Sequence, residues 1–157
     1  MRSAVTCTFA LLAAIGTTVA ADTAGSTDLA TRLRGASRTV VGSVARLEPR
    51  MVRTRRGDQM IVTRTWLRVE ESLKGRAEAF IAVDVEGGTI GELSMRVSDI
   101  EPLAVGERAV VMMEPTAEGG WRPHRRGLGL LRLASDNRVR ELGVSLADVR
   151  RLAAEVR

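Results

Sequence analysis

The alternation of apolar and polar positions is clearest over residues 59–73, where Ile61, Thr63, Thr65, Leu67 and Val69 interleave with Met60, Val62, Arg64, Trp66, Arg68 and Glu70. A period of two predicts a strand, because successive side chains leave a pleated backbone on opposite faces. The first set is expected to face a core. The second is expected to face outward, which stands Trp66 on an outer surface between two arginines. The same grammar recurs along the chain. Residues 40–47 are rich in valine and precede Pro49, so they predict a first strand closed by a breaker and followed by a charged loop over 50–58. Ile81, Val83 and Val85 alternate with Ala82 and Asp84, Gly87-Gly88 turns the chain, and Leu93, Met95 and Val97 alternate with Ser94 and Arg96 in a fourth strand. Residues 109–113 form an unbroken apolar run ended by Glu114-Pro115, the pattern of a strand buried on both faces. Residues 121–124 and 128–133 add two more strands before the turn residues Ser135-Asp136-Asn137.

Both ends of the chain depart from this pattern. Ser145 is a good N-cap with Asp148 three positions on, and Leu146, Val149, Ala153 and Val156 recur at helical spacing, so residues 142–157 predict an amphipathic helix whose stripe covers part of the sheet. At the other end, Met1-Arg2 precedes an apolar stretch over residues 4–20 that is too short and too rich in Ala and Thr for a membrane span. Small residues at 17–21 follow, so residues 1–21 are expected to be a cleavable secretory signal, cut after Ala20 or Ala21. Export to the periplasm or the medium is the expectation, with no membrane span left after cleavage. Residues 22–36 are expected to be a flexible leader, unstructured at 22–26, with a short helix carrying Leu29 and Leu33 on one face. Short strands over 37–141 with one helix behind them predict a mainly β domain, a small barrel or sandwich.

Composition adds constraints. Removal of about 21 residues leaves roughly 136, the size of one domain. Cys7 is the only cysteine and leaves with the signal, so no disulfide or cysteine metal site is expected to hold the mature chain. The net charge of +5 becomes +4 without Arg2, and Lys74 is the sole lysine. Acidic residues are spread among the arginines, so the excess reads as the residue usage of a high-GC genome rather than a dedicated polyanion site. The local exception is Arg50, Arg53, Arg55 and Arg56, a basic cluster of the kind that marks an anionic partner.

Val40-Val41-Gly42-Ser43-Val44, Val69-Glu70-Glu71-Ser72-Leu73-Lys74-Gly75, Gly87-Gly88 and Val105-Gly106-Glu107-Arg108 stand in an order that carries a resemblance. Over residues 40–133 the chain resembles the exported OB-like barrel proteins of bacteria that are compared with the netrin-like modules of tissue metalloprotease inhibitors. The resemblance implies a small OB-like β-barrel and a tendency toward binding, and a fold alone does not set a function. In the inhibitors of that family a disulfide-tied N-terminal cysteine reaches the target's metal. The mature chain has no cysteine, so that mechanism does not carry over.

Candidate catalytic groups are few. His124 is the only histidine, with neither a Gly-x-Ser-x-Gly elbow nor a cysteine nucleophile in the mature chain to accompany it, and it reads as a loop residue beside Arg125 and Arg126. Asp84 and Glu86 are two apart and share a strand face, where carboxylates are ordinarily solvated. Met112 and Met113 lie in the most apolar strand, so core packing outweighs a copper(I) site built with Met51, Met60 and Met95. No metal or cofactor is expected. Two surface candidates remain. One is the face bearing Arg64, Trp66 and Arg68, with Arg53, Arg55 and Arg56 at its edge. The other is the loop with Trp121, His124, Arg125 and Arg126. Two readings of Trp66 stay open: an exposed anchor for a partner, or an indole covered by the C-terminal helix with arginines snorkelling around it. The expected function is a monomeric, non-enzymatic module that binds a protein partner. An OB-type binder of an anionic oligosaccharide or nucleic acid is the alternative, weakened by the lack of tyrosine and by only two phenylalanines, Phe9 and Phe80. A hydrolase is the most distant reading.

Overall fold

The structure, a computed structural model, describes residues 20–156, with side chains from Asp28 onward. The expected signal segment therefore lies outside the described residues except for Ala20 and Ala21. The elements in chain order are α1 (Ala20–Gly35), β1 (Arg38–Arg53), β2 (Gln59–Lys74), β3 (Phe80–Glu86), β4 (Gly88–Ile90), β5 (Leu93–Met95), β6 (Arg108–Pro115), β7 (Trp121–Pro123), β8 (Leu130–Arg132) and α2 (Leu146–Glu155), with a 3-10 turn at Arg126–Gly129. The main sheet is antiparallel and runs β3-β2-β1-β6-β7, and β8 pairs with the same edge of β6 as β7 does.

The sheet is buried on both faces around β1 and β6. Val41, Val110, Met112 and Leu131 point to one side, where Leu29 and Leu33 of α1 and Leu146, Val149, Leu152 and Ala153 of α2 cover them. Val40, Val44, Ala109, Val111 and Met113 point to the other, where Leu67, Ile81, Val83, Val85, Ile100 and Leu103 close over them as the sheet curls. Three register shifts in the β1–β2 ladder, near Val40, Gly42 and Ala45, supply the curl, because each bulge bends and twists the strand that carries it. Gly42 is needed at one of them: a Cβ there would stand 2.6 Å from the carbonyl oxygen of Arg68. β3 and β7, the two ends of the strand order, approach each other without a ladder between them. The mainly β character and the C-terminal helix follow the expectation. A closed barrel does not: among the described residues the sheet is curled but open at this seam.

Four local expectations are corrected. Residues 22–26 are helical rather than an unstructured leader, because Leu29 and Leu33, both fully buried, anchor the last turns of α1 and a helix once nucleated extends at small cost. The first strand does not stop before Pro49 but runs to Arg53, leaving only residues 54–58 as a loop. β6 pairs with β1 only as far as Ser43, so the edge of β1 beside Pro49 carries no strand and the missing N–H interrupts no ladder. The fourth strand is not part of the main sheet; β4 and β5 form a separate short hairpin. Residues 121–124 and 128–133 do not make two neighbouring strands. β7 and β8 are one strand along β6, interrupted by a looped-out segment over 124–129. On β2 the expected inward residues Ile61, Thr65 and Leu67 are buried, and Val62 from the outward set is buried as well. The expected N-cap is present: Ser145 accepts from the Asp148 N–H at 3.1 Å, while the Asp148 carboxylate accepts from the Ser145 N–H at 3.3 Å.

The long connections are held by a buried cation. Arg132, 7 % exposed, donates through Nη2 to the carbonyls of Glu101 (2.5 Å) and Pro102 (3.2 Å), pairs through Nη1 with Glu141 (3.1 Å) and faces Glu107 through Nε (3.3 Å). This one side chain ties two connections, those before β6 and after β8, to the sheet. Arg132→Met keeps an apolar stem but strands these acceptors, so unfolding in urea is expected to show a loss of about 3 kcal/mol, the low end for a broken buried pair because Glu141 and Glu101 keep access to water. A loss below about 1 kcal/mol would show that the connections hold themselves.

Candidate functional site

β2 is paired on both sides where Trp66 stands, with Arg46 of β1 on one flank and Ala82 of β3 on the other. Directly opposed residues share a face. That face therefore also carries Arg64 opposite Asp84 and Arg68 opposite Phe80. Trp66 belongs to neither hydrophobic cluster. Its Nε1 donates to Glu48 at 2.9 Å, and the guanidinium of Arg46 lies 5.1 Å from the ring centroid while pairing with Glu48 at 3.0 Å. Of the two readings of Trp66, the cover by the C-terminal helix is not seen, since the indole is absent from the cluster that α2 joins. That helix meets β2 farther along, where Leu73 joins its cluster and Arg150 pairs with Glu71 at 2.8 Å. Trp66 is half-buried by its own strand neighbours.

Trp121 reaches the same place from the other side of the open seam. Its ring packs against the inner core, and the buried Arg38 stacks over it at 5.6 Å while pairing with Glu78 at 3.3 Å. Phe80, 51 % exposed, stands at the start of β3 and lines the same groove as the two indoles. Together they border a shallow groove of about 430 Å³ lined also by Arg64, Glu78, Asp84 and Glu118. Trp66, Phe80 and Trp121 are the whole aromatic content of the described residues, and all three converge here.

The charges of the groove are largely neutralised from within. Asp84 accepts two bonds from Arg64, at 2.9 and 3.1 Å, and one from Arg50 at 2.5 Å. Burial pushes the Asp84 carboxyl up, but the hydrogen bonds and charges of Arg64 and Arg50 outweigh it and hold the group below the usual carboxylate range. Glu118 is exposed and has no ion-pair partner among the described residues. The face expected to offer two arginines to an anion offers only Arg68, since Arg64 is already paired.

The remaining candidates separate. Arg53, Arg55 and Arg56 lie at the exposed tip of the β1–β2 hairpin, closed by the Thr54 N–H to Asp58 carbonyl bond at 2.8 Å. Gln59, opposite Arg53, is seven strand positions from Trp66, so the tip stands about 20 Å from the indole and does not edge the groove. His124 is a structural residue of the looped-out segment. Its Nδ1 is 2.7 Å from Glu114, its ring lies against Gly35, and it is mostly buried. His124 and then Arg122 hold the Glu114 carboxyl below its ordinary value despite burial. Arg125 and Arg126 adopt left-handed backbone (φ 53° and 59°), an uncommon conformation for residues with a Cβ, and Arg126 pairs with Glu86 at 3.0 Å. Asp84 and Glu86 thus each face arginine rather than each other. Among the described residues no cluster of three His, Cys, Asp or Glu side chains is placed to hold a metal, and no helix is long and apolar enough to cross a membrane.

No protein-family model and no curated protein matches this chain. Arg46 and Glu48 went unremarked in the sequence, and Phe80 was noted only as one of two phenylalanines, because their part in the groove depends on strand register. Nothing local to them signals it.

Because the Asp84 pKa is lowered on folding, its contribution to stability is fully present well above 3.8 and is lost as the pH falls through the lower folded value. Asp84→Asn should therefore unfold at lower urea concentration than the wild type near neutral pH, and the gap should narrow as the pH is taken from about 6 to about 3. A gap independent of pH would show that the ion pairs at Asp84 contribute nothing.

Proposed function

We propose that this is an exported, non-enzymatic binding module that engages a protein partner through the aromatic groove across the β3–β7 seam. The carrying observation is the convergence of Trp66, Phe80 and Trp121 on one outer groove in which Arg64, its one lining cation, is paired with Asp84, and Glu78 is paired with the buried Arg38. Large aromatic side chains combine apolar area with a polar edge and dominate interface energetics, above all when flanked by arginine. Cancelled charge favours a mixed protein surface over an anionic polymer, which needs unpaired cations along its track. The OB-like reading of the curled sheet stands beside this proposal, since such sheets offer one outer face to ligands. Export follows from the sequence of the first 21 residues. Cleavage after Ala20 or Ala21 would leave Leu29 and Leu33, the core-binding part of α1, in place.

The anionic-polymer reading draws its support from Arg53, Arg55 and Arg56, exposed at the hairpin tip and without ion-pair partners among the described residues. Salt separates the two: polyanion binding falls steeply as salt rises, and docking on the aromatic groove falls little.

The two tryptophans give a differential test. Trp66→Ala is expected to change the urea midpoint little, since the indole is outside both cores, and to weaken capture of the partner from the native envelope or medium by about 2 kcal/mol or more. Trp121→Ala should lower stability, because it opens the inner core. If Trp66→Ala retains the partner as well as the wild type, the groove is not the docking site. N-terminal sequencing of exported protein should begin at Ala21 or Asp22; a chain that still begins at Met1 would exclude the cleaved signal.

A further inference from the structure

A second concavity lies at the opposite end of the curl from α1, between the inner face of the β1–β2 ribbon, the β4–β5 hairpin and the connection leading to β6. Gly87 and Gly88, with φ of 102° and 134°, fold the hairpin over the ribbon; a Cβ on Gly88 would lie 2.3 Å from the Thr63 hydroxyl. The result is a cleft of about 730 Å³. Its apolar lining includes Leu47, Val85, Met95, Val97, Ile100 and Leu103, and its floor is continuous with the inner core. A volume of this size, mostly apolar with a few polar groups, is typical of small-molecule sites.

The charged residues of the lining identify the ligand. Glu86 is paired with Arg126 at 3.0 Å, and Glu101 faces the buried Arg132 at 3.5 Å. Arg96, exposed on the rim, is the charged lining residue without an ion-pair partner among the described residues. An apolar cleft with one unmatched cation at its mouth complements one class of molecule. We propose that the cleft binds a single-chain amphiphile, an acyl chain lying over Val85, Met95 and Ile100 with its carboxylate against Arg96. This site is separate from the aromatic groove and does not depend on the reading given to it.

Calorimetric titration of the full mature chain with octanoate and decanoate, below their micelle concentrations, tests the assignment. Saturable binding of one ligand per chain is expected, with decanoate more than tenfold tighter, since each further buried methylene gives about fourfold. Arg96→Glu should weaken decanoate at least tenfold and leave 1-octanol unchanged. Met95→Trp, which fills the cleft, should abolish both. Urea midpoints of both variants report whether the fold is kept, and Val97→Trp repeats the filling test from another wall. Trp66→Ala should leave decanoate binding as it was, which separates failure here from failure of the groove. The proposal is overturned if no saturable binding occurs at millimolar decanoate, or if affinity is insensitive to Arg96→Glu and to both filling variants. It is also overturned if affinity is lost on Arg55→Glu/Arg56→Glu instead, which would place the anion at the hairpin tip.

Discussion

Ala109, Val110, Val111, Met112 and Met113 are five consecutive residues with no more than a trace of solvent exposure, and the strand they form is hydrogen-bonded along both edges. A strand in that position imposes conditions on everything around it. Each of its faces must be covered, and full burial of a Val or Met contributes about 1.5–3 kcal/mol, so covering both is strongly favoured. One face receives α1 and α2. The other is covered by the sheet's own far strands, which can reach back only because β1 is bulged and the sheet curls. Both helices and the open seam between β3 and β7 follow from this requirement.

Most of the arginines are engaged by acceptors of the chain itself, although only Arg32, Arg38 and Arg132 are buried among the described residues. Arg132 fastens two connections, Arg38 lies under Trp121, Arg50 and Arg64 converge on Asp84, and Arg126 holds Glu86. A planar, always charged guanidinium with several donors serves such multi-acceptor sites better than an ammonium. No cysteine is present among the described residues, and these cations fasten loops that disulfides hold in some other small domains. Burial is not free of loss: the Nε atoms of Arg32 and Arg38 and the hydroxyl of Thr39 are buried without partners. The surface left for ligands consequently offers fewer free cations than the number of arginines suggests. Among the described residues, arginines without ion-pair partners gather at the hairpin tip, and Arg96 stands unpaired at the cleft.

The two tryptophans illustrate how position divides similar residues. Trp121 packs against the inner core and borders the open seam on the β7 side. Trp66 contributes to neither core and is held in place by a hydrogen bond to Glu48 and the overlying Arg46. Preorganisation of that kind reduces the entropy lost when an aromatic anchor is engaged. A half-buried indole fixed by polar neighbours is therefore better suited to recognition than a freely rotating one.

Much of this architecture is visible in local pattern. The period of two over residues 59–73 and 81–85, the unbroken run over 109–113 and the Ser145–Asp148 cap each report a preference that neighbouring residues satisfy among themselves. Trp66 facing outward was legible for the same reason. Other features depend on residues far apart in the chain. Pro49 reads as a strand end until the bare edge beside it is known. Residues 22–26 look unstructured until Leu29 and Leu33 find their seat. Arg64 looks like a free cation until β3 brings Asp84 against it, and the meeting of Trp66, Phe80 and Trp121 requires the curl of the entire sheet. The sequence by itself determined strands, faces and the final helix, because these follow from side-chain alternation and capping within a few residues. Only the tertiary structure decided which strands meet, which charges cancel and where the aromatics converge, because those depend on register and curvature set by contacts dozens of residues apart.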